Sequence, residues 1–368
     1  MRICFLIINP FDYDSRARLI CRDIIEAGYK LDVITTIGDK PQAFAGAAIH
    51  RLAQHAKPFR QRRFIEFNLK AAEIAGKLQP DIIHAVDLDT LWAAVTAAKR
   101  SGGKVVYEAR ELYTELLALY KKPLVKLFWR VLEKRLIHKA DHVITINHSI
   151  AEELSRRYDI KIPAVVMNVA KFESVSQPID IRQKFNFTDK YILIYQGVLR
   201  PGQGIDRVLL ALKGIPDTEI LFVGDGPYRA RIEGIMEKLN IKDRVRFAGM
   251  VPPESLAGYT AAADAGLLLM ESTALNNYLA LPQKLFQYIM AGTPPIVSDR
   301  PELKRVVESD DLGLVLKNDS ATEDARAISD FLQKELAKSA QNCHKVKSKY
   351  CWEVEGKKLM DIYRGLAG

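Results

Sequence analysis

Residues 264–302 read DAGLLLMESTALNNYLALPQKLFQYIMAGTPPIVSDRPE. The apolar run 265–270 has the length of a buried strand and is short for a helix. A polar loop carrying Asn276, Asn277 and Pro282 follows. Residues 284–291 then place Leu285, Tyr288 and Ile289 at helical spacing, and Gly292 stops them. After Pro294 and Pro295 a second apolar strand is expected over 296–298. Strand, loop, helix and strand make one βαβ unit. In open parallel sheets, ligands sit where strand carboxyl ends meet helix amino ends. The loop before the helix, 279–284, is therefore the expected ligand-facing segment.

Working outward, a chain of 368 residues is too long for one ordinary core and points to two domains of about 150–200 residues. Its 48% hydrophobic and 27% charged content is that of a globular protein in water. No apolar run approaches the ~18–20 residues that a bilayer span requires. The opening MRICFLIINPFDYDSR lacks a cleavage pattern and is expected to be a first buried strand, not a signal peptide. Cys4, Cys21, Cys343 and Cys351 form no Cys-x-x-Cys pair, so reduced thiols in a cytoplasmic protein are expected. The net charge of +9 is uneven: residues 1–175 carry 28 Lys/Arg against 20 Asp/Glu, and the rest 26 against 25. A basic first half suits an anionic surface, either membrane or nucleic acid, or serves solubility alone.

Taken in order, strands are expected at 3–8, 31–35, 81–85, 104–108, 142–145 and 164–167. Helices are expected at 17–26, 64–78, 91–99, 113–139 (interrupted near Pro123) and 149–157. The region 38–58 reads as irregular and runs into a basic cluster, Lys57, Arg60, Arg62 and Arg63. Residues 171–178, with Ser174, Ser176 and Pro178, read as a linker. A second series follows, with strands at 191–196, 219–223 and 245–248 and helices at 204–212, 228–239 and 254–261. After the opening stretch come the segment 302–307 and two helices, 324–338 and 353–363. Both series predict doubly wound α/β domains, and a cleft between domains is a favoured ligand site. No repeat of 20–50 residues is present.

Two segments carry the chemistry of the second half. YQGVLRPGQGIDRVLLAL, residues 195–212, is a strand, a glycine-rich turn and a helix start. Gly197, Gly202 and Gly204 would let backbone approach a ligand, and free amides at a helix start favour a diphosphate. LFVGDGPYRARIE, residues 221–233, repeats the pattern with Gly224, Asp225 and Gly226. Two such turns in one domain point to a nucleotide. Asp87-Leu88-Asp89 looks like a metal-holding carboxylate pair, yet it directly precedes a helix, whose amino end attracts Asp anyway. Capping or cleft lining is the expectation there, without a metal. His138 and His142 are four apart, but Ala140-Asp141 breaks the helix between them.

Residues 121–139 carry seven Lys/Arg and one acid, Glu133. Lys122, Lys126, Arg130 and Lys134 recur every four residues and should form one stripe on a helix. Leu124, Leu127, Phe128, Val131 and Leu132 fall largely elsewhere around it. Such a helix can lie on an anionic bilayer, and a core-packed helix with a solvated basic face shows the same pattern. Nucleic acid is not the expected partner, because no aromatic single-strand platform or groove-reading motif is present.

Several segments together resemble the retaining glycosyltransferases of family 4, over nearly the whole chain. They are NNYLALPQKLFQYIMAGTPPIVSDRPEL, YQGVLRPGQG, VGDGP, DIIHAVDLDTLWAA, VVYEARELY, ADHVITINHSIAEEL and the tail YCWEVEGKKLMDIYRGL. The resemblance implies the α/β GT-B architecture, two facing Rossmann-like domains with a C-terminal helix crossing back to the first. The corresponding divisions are 1–172, 173–345 and 346–368. It implies a first domain for a glycan or lipid-linked acceptor and a second for a nucleotide-sugar donor. Transfer would retain configuration and use neither metal nor cofactor, at the inner membrane face or in the cytoplasm. As compensation where the chain departs from the family's pattern, the catalytic candidates are Arg200, Lys284 and Arg110. The donor-binding candidates are Gly197, Gly202, Gln203, Gly204, Gly224, Met250, Ala280, Leu281, Pro282, Gln283 and Gln287. Asp12, Arg16 and Asp87 would face the acceptor.

The chain departs from that pattern at named positions. Val198 and Gln203 stand where the family often has Arg and then Lys or Arg, and Leu279 and Gln287 where it has paired glutamates. Glu108-Ala-Arg110 replaces the usual Asp-x-His. Gln287 can still hydrogen-bond ribose hydroxyls, without a carboxylate's charge. Gln203 cannot neutralise a phosphate, so that charge would fall to Arg200 or Lys284. One lost charge-assisted contact costs roughly 2–4 kcal/mol in the transition state. The alternative expectation is a catalytically lapsed relative that binds a partner enzyme or a glycan.

Overall fold

Seven strands build the first sheet of the computed structural model, and the chain runs through them in two outward series. The structure describes residues 1–39, 42–53, 60–172, 178–188, 190–272, 274–317 and 320–367. Lys57, the side chain of Arg60 and most of the expected linker (173–177) lie outside the described residues. The strands are β1 (Arg2–Leu6), β2 (Lys30–Thr36), β3 (Ala47–Leu52), β4 (Ile82–Val86), β5 (Lys104–Ala109), β6 (His142–Thr145) and β7 (Ala164–Val165). Their order is β3-β2-β1-β4-β5-β6-β7, with every pairing parallel. Runs such as ICFL and IIHAV are buried on both faces, as helix-covered parallel strands must be.

Two expectations change here. β3 lies in the stretch read as irregular: AAIHRL shows neither alternation nor a continuous apolar run. It is an edge strand of mostly intermediate exposure, defined by its register with β2. The long segment 113–139 breaks at Pro123 as expected, but the part before it is not a regular helix. The segment divides into turns at Tyr113–Glu115 and Leu117–Leu119, a helix Pro123–Leu136 and a last turn Ile137–Lys139. Pro123 has no amide to donate, so it starts that helix and does not sit inside one.

The second sheet contains β8 (Tyr191–Gln196), β9 (Thr218–Val223), β10 (Val245–Gly249), β11 (Ala265–Leu268), β12 (Pro295–Ser298) and β13 (Leu314–Leu316). Its order is β10-β9-β8-β11-β12-β13, again with parallel pairings. Leu193, Tyr195, Phe222, Leu209 and Phe331 form part of its core, between strands and helices. Three helices follow, Ala321–Lys334, Leu336–Val346 and Trp352–Ala367, one more than the sequence suggests. By internal contacts, one compact unit is Met1–Asn168 with Glu355–Gly368 and the other is Val169–Val354. The last helix joins the first unit through buried polar contacts. The Tyr363 hydroxyl lies 2.6 Å from His84 Nδ1, and Glu355 accepts the Met167 amide at 2.8 Å.

In each sheet the chain lays strands outward from an interior strand to one edge and then restarts on that strand's other side. The reversal falls between β1 and β4 in the first unit and between β8 and β11 in the second. Such switch points open crevices at strand carboxyl ends.

Candidate functional site

At the switch point of the second unit, the two glycine turns pack on each other. Residues 197–204 follow β8 and enter the helix Ile205–Leu212, and 224–228 follow β9 and enter Arg229–Leu239. The Leu199 amide donates to Asp225 O at 3.1 Å, and Leu199 O accepts the Tyr228 amide at 3.1 Å. Gly224 has φ 133, and a Cβ there would lie 2.1 Å from Gly197 O; at Gly204 (φ 66) it would lie 1.9 Å from Leu269 O. These glycines let the chain approach itself. Their spacing is a packing requirement and does not by itself mark a ligand.

The helix Gln283–Ala291 lies over β8 and β11, anchored by Tyr288. That buried hydroxyl donates to Leu267 O at 3.1 Å, and its ring packs on Gly266. Ala280, Leu281 and Pro282 lead into the helix, while Leu279 is buried and closes the short helix Leu275–Tyr278. Pro282 at the cap offers no side-chain acceptor, so the first-turn amides that begin at Gln283 have no capping partner on it.

Lys284 projects from this helix onto the first glycine turn. Its Nζ donates to Gln203 Oε1 at 3.2 Å and lies 4.6 Å from the centre of the Tyr195 ring. Gln203 is itself buried. Among the described residues no carboxylate pairs with Lys284 or with exposed Arg200. Loss of water, and after it the like charge of Arg200, push the Lys284 ammonium down to about 8. One turn further on, Gln287 accepts from Gln196 Nε2 at 2.7 Å, and Gln196 Oε1 accepts the Thr260 hydroxyl at 2.7 Å. Gly202 precedes Gln203 with its carbonyl bound to the Glu271 amide. Val198 is exposed on the first turn, and Met250 is 78% exposed just beyond β10.

The structure thus gathers Gly197, Gln203, Lys284 and Gln287 in the second unit. Tyr195, Gln196 and Thr260 complete the polar floor and escaped the sequence reading. The available signal was the pair Tyr195-Gln196 closing the apolar strand YILIYQ at its carboxyl end.

The switch point of the first unit is built differently. Arg110, just beyond β5, binds Asp87 Oδ2 through Nε at 3.0 Å and Nη2 at 2.9 Å, and Asp14 through Nη1 at 2.7 Å. Asp14 also caps the helix Ser15–Glu26 through the Ala17 amide. Asp87 has φ 61 and ψ 169, a strained conformation for a residue with a Cβ. Burial raises the Asp87 carboxyl despite Arg110. Asp89 is pushed up to about 8, first by burial and then by the Asp87 charge, and Tyr113 OH makes a long 3.4 Å contact with it.

Asp12 and Arg16, expected to face an acceptor, are engaged within the unit. Asp12 takes Arg51 in a bidentate pair at 2.7 and 2.9 Å and the Gln42 amide at 2.8 Å. Burial raises its carboxyl, but the Arg51 hydrogen bonds win and hold it below the usual range. Arg16 is 3% exposed and binds Glu108 at 2.7 Å with the carbonyls of Val166 and Met167. Glu108 also meets His84 at 3.1 Å. Burial opposes ionisation there, yet Arg16 and His84 outweigh it and keep Glu108 well below the usual range. Among the described residues no three His, Cys, Asp or Glu side chains group as a metal site.

The expected basic stripe is also altered. Lys126 and Arg130 bind Glu115 at 2.5 and 3.3 Å, so two of its four charges are occupied. The outward face is instead apolar: Leu124 is 81% exposed, and Leu117, Tyr120, Leu127, Phe128 and Val131 are exposed beside it. Exposed Lys121, Lys122, Lys134 and Arg135 flank these residues. No described helix is long and apolar enough to cross a membrane.

Two family models match the chain: "Glycosyltransferase Family 4" over residues 15–168 and "Glycosyl transferases group 1" over 176–349. An alpha-monoglucosyldiacylglycerol synthase of Streptococcus pneumoniae is 27% identical over 68% of this chain and 59% of its own length. A sulfoquinovosyl transferase of Arabidopsis thaliana is 23% identical over 83% of this chain and 61% of its own. The chain therefore spans about 60% of the length of these relatives. Sucrose-phosphate synthase from Thermosynechococcus elongatus has the same fold, with a TM-score of 0.81, 21% identity and coverage of 100% and 99% of the two chains. Anabaena HepE, solved in complex with UDP, superposes with a TM-score of 0.76 at 16% identity over 99% of this chain and 100% of that one. These neighbours assign the two parallel-sheet units to the GT-B fold.

Proposed function

The chain belongs to glycosyltransferase family 4, and from that premise we propose that it moves a sugar from a nucleoside-diphosphate sugar to a glycan or lipid-linked acceptor, with retention. One observation carries the donor side: Lys284 is a desolvated ammonium beside Arg200, with no carboxylate partner among the described residues. Two neighbouring cations without a counter-ion suit a diphosphate, whose charge grows as the sugar leaves. Arg200 and Lys284 would hold it, with the amides of 202–204 and 280–284. Gln287 would hold ribose, and Met250 would border the base. Asp87 and Arg110 would meet the acceptor, and the leaving phosphate would itself take the acceptor proton. No metal is required where two cations already face the diphosphate, and the Asp87 carboxylate is engaged by Arg110.

A membrane-borne acceptor fits the first unit. The apolar face of Pro123–Leu136, flanked by lysines, would enter an anionic bilayer surface, as amphipathic helices do. The name of the pneumococcal relative also contains a diacylglycerol lipid.

A panel of sugar nucleotides tests the donor side. At least one should raise the melting temperature and be hydrolysed slowly when no acceptor is present. No shift with any of them would remove the transferase proposal. Leu124→Glu with Phe128→Glu should release the protein from vesicles containing anionic lipid. Unchanged flotation would remove the membrane from the reading.

A further inference from the structure

We propose that Gln203 is a positioning residue: it holds Lys284 as the diphosphate cation of the first glycine turn, so that the turn's charge is supplied by the helix Gln283–Ala291. This rests on the diphosphate reading given above and adds how the cation is placed.

The path of the Lys284 side chain carries the inference. A Cβ at Gly197 would lie 3.3 Å from Nζ, 3.4 Å from Cε and 3.8 Å from Cδ. The end of the side chain therefore lies across Gly197, on the only residue type that leaves its backbone so open. The Tyr195 ring supports the ammonium from β8, and Gln203 Oε1 accepts one of its protons. An ammonium has three donors, so two are left for an anion. A free lysine chain has many rotamers, and fixing the tip before binding lowers the cost of ordering it later.

The chemistry of residue 203 decides what Lys284 can do. A glutamate at that distance would satisfy the ammonium and cancel its charge. A lysine or arginine would set two cations about 3 Å apart and drive Lys284 away. An uncharged amide orients the ammonium and leaves its charge available. The other groups facing Lys284 are Tyr195 from β8 and Arg200 from the same turn, and Arg200 repels it. Lys284 is therefore held by geometry and not by a counter-charge.

A charge-swap series tests this. UDP, GDP and inorganic pyrophosphate are titrated calorimetrically into the full chain, with unfolding curves recorded for every variant. Lys284→Gln should weaken the best of these ligands at least 30-fold. Gln203→Glu should weaken it about tenfold or more, although Lys284 is intact. Gln203→Lys should bind no tighter than the parent. The double change Gln203→Lys with Lys284→Gln should recover at least tenfold over Lys284→Gln, because it returns the cation to the turn. Tighter binding by Gln203→Lys alone, or parental binding by Gln203→Glu, would overturn the proposal. The titration of the Lys284 ammonium, followed by NMR, separates this failure from that of the diphosphate reading. Gln203→Glu must raise that pKa whether or not any nucleotide binds. If it does so and the parent binds no ligand, the positioning stands and the ligand is wrong; an unmoved pKa sinks the positioning itself.

Discussion

The two switch points share a topology and treat charge in opposite ways. In the first unit, Arg16, Arg51 and Arg110 each meet a carboxylate of the same unit, and Glu108 also meets His84. In the second, Lys284 faces the Gln203 amide and the Tyr195 ring, and neither it nor exposed Arg200 has a carboxylate partner among the described residues. A paired buried charge is bound into the fold, and removing one partner leaves the other stranded. An unpaired cation contributes little to the fold and retains its field for a ligand. The comparison separates charge paired within the fold from charge left without a carboxylate partner where both look polar.

The largest expected effect falls on the framework. Glu108→Gln should destabilise the first unit by about 3–5 kcal/mol in urea unfolding, since it strands Arg16 in the core. A variant that unfolds like the parent would break the comparison at its firmest point. On the site side, affinity for a nucleoside-diphosphate sugar, whose phosphates do not titrate near neutrality, should be flat below neutral pH and fall roughly tenfold per unit above about 8, where free Lys284 loses its proton. The sign for stability is the reverse. The folded pKa is depressed, so the cost of the buried ammonium is full below about 8 and is relieved as pH rises toward the ordinary lysine value. Affinity that stays level to pH 9.5 would show that Lys284 is not the cation.

The smallest effect sharpens the boundary within the first unit. Asp89 titrates near 8 in the fold, above its unfolded value. Its folded form therefore keeps a proton that the unfolded chain has lost, and stability falls as pH rises between those two values. Asp89→Asn should remove that decline. It should match the parent near pH 4 and melt about 2–4 °C higher at pH 8, a difference on the order of 1 kcal/mol once the shift is discounted for a side chain that keeps partial contact with water. Parallel melting curves across the range would place Asp89 with the framework.

Much of this could be read from the residues. Strands buried on both faces appear as continuous apolar runs, so both sheets were legible except at the edge strands β3 and β13. The helix that carries Lys284 and Gln287 was legible because it and its stop residue, Gly292, are local signals. The partners of Asp12 and Arg16 were not. A polar residue after a strand looks the same whether it awaits a ligand or a distant partner, and Glu108 lies 92 positions from Arg16. The glycines carry a similar ambiguity. Gly204 and Gly224 mark close approach, but the approaching group is the chain's own backbone. The basic stripe showed its periodicity without Glu115, which sits in a separate turn and takes up two of its charges.

The contact between Tyr363 and His84 joins positions 279 residues apart, and the whole second unit lies in the chain between them. During synthesis, Met1–Asn168 emerges first, yet its buried histidine gains the tyrosine only after every residue of the second unit has been made. Domains generally fold as units during synthesis. The unit begun first is therefore finished last, and an unfinished chain carries a completed second unit beside a first unit still lacking its closing helix.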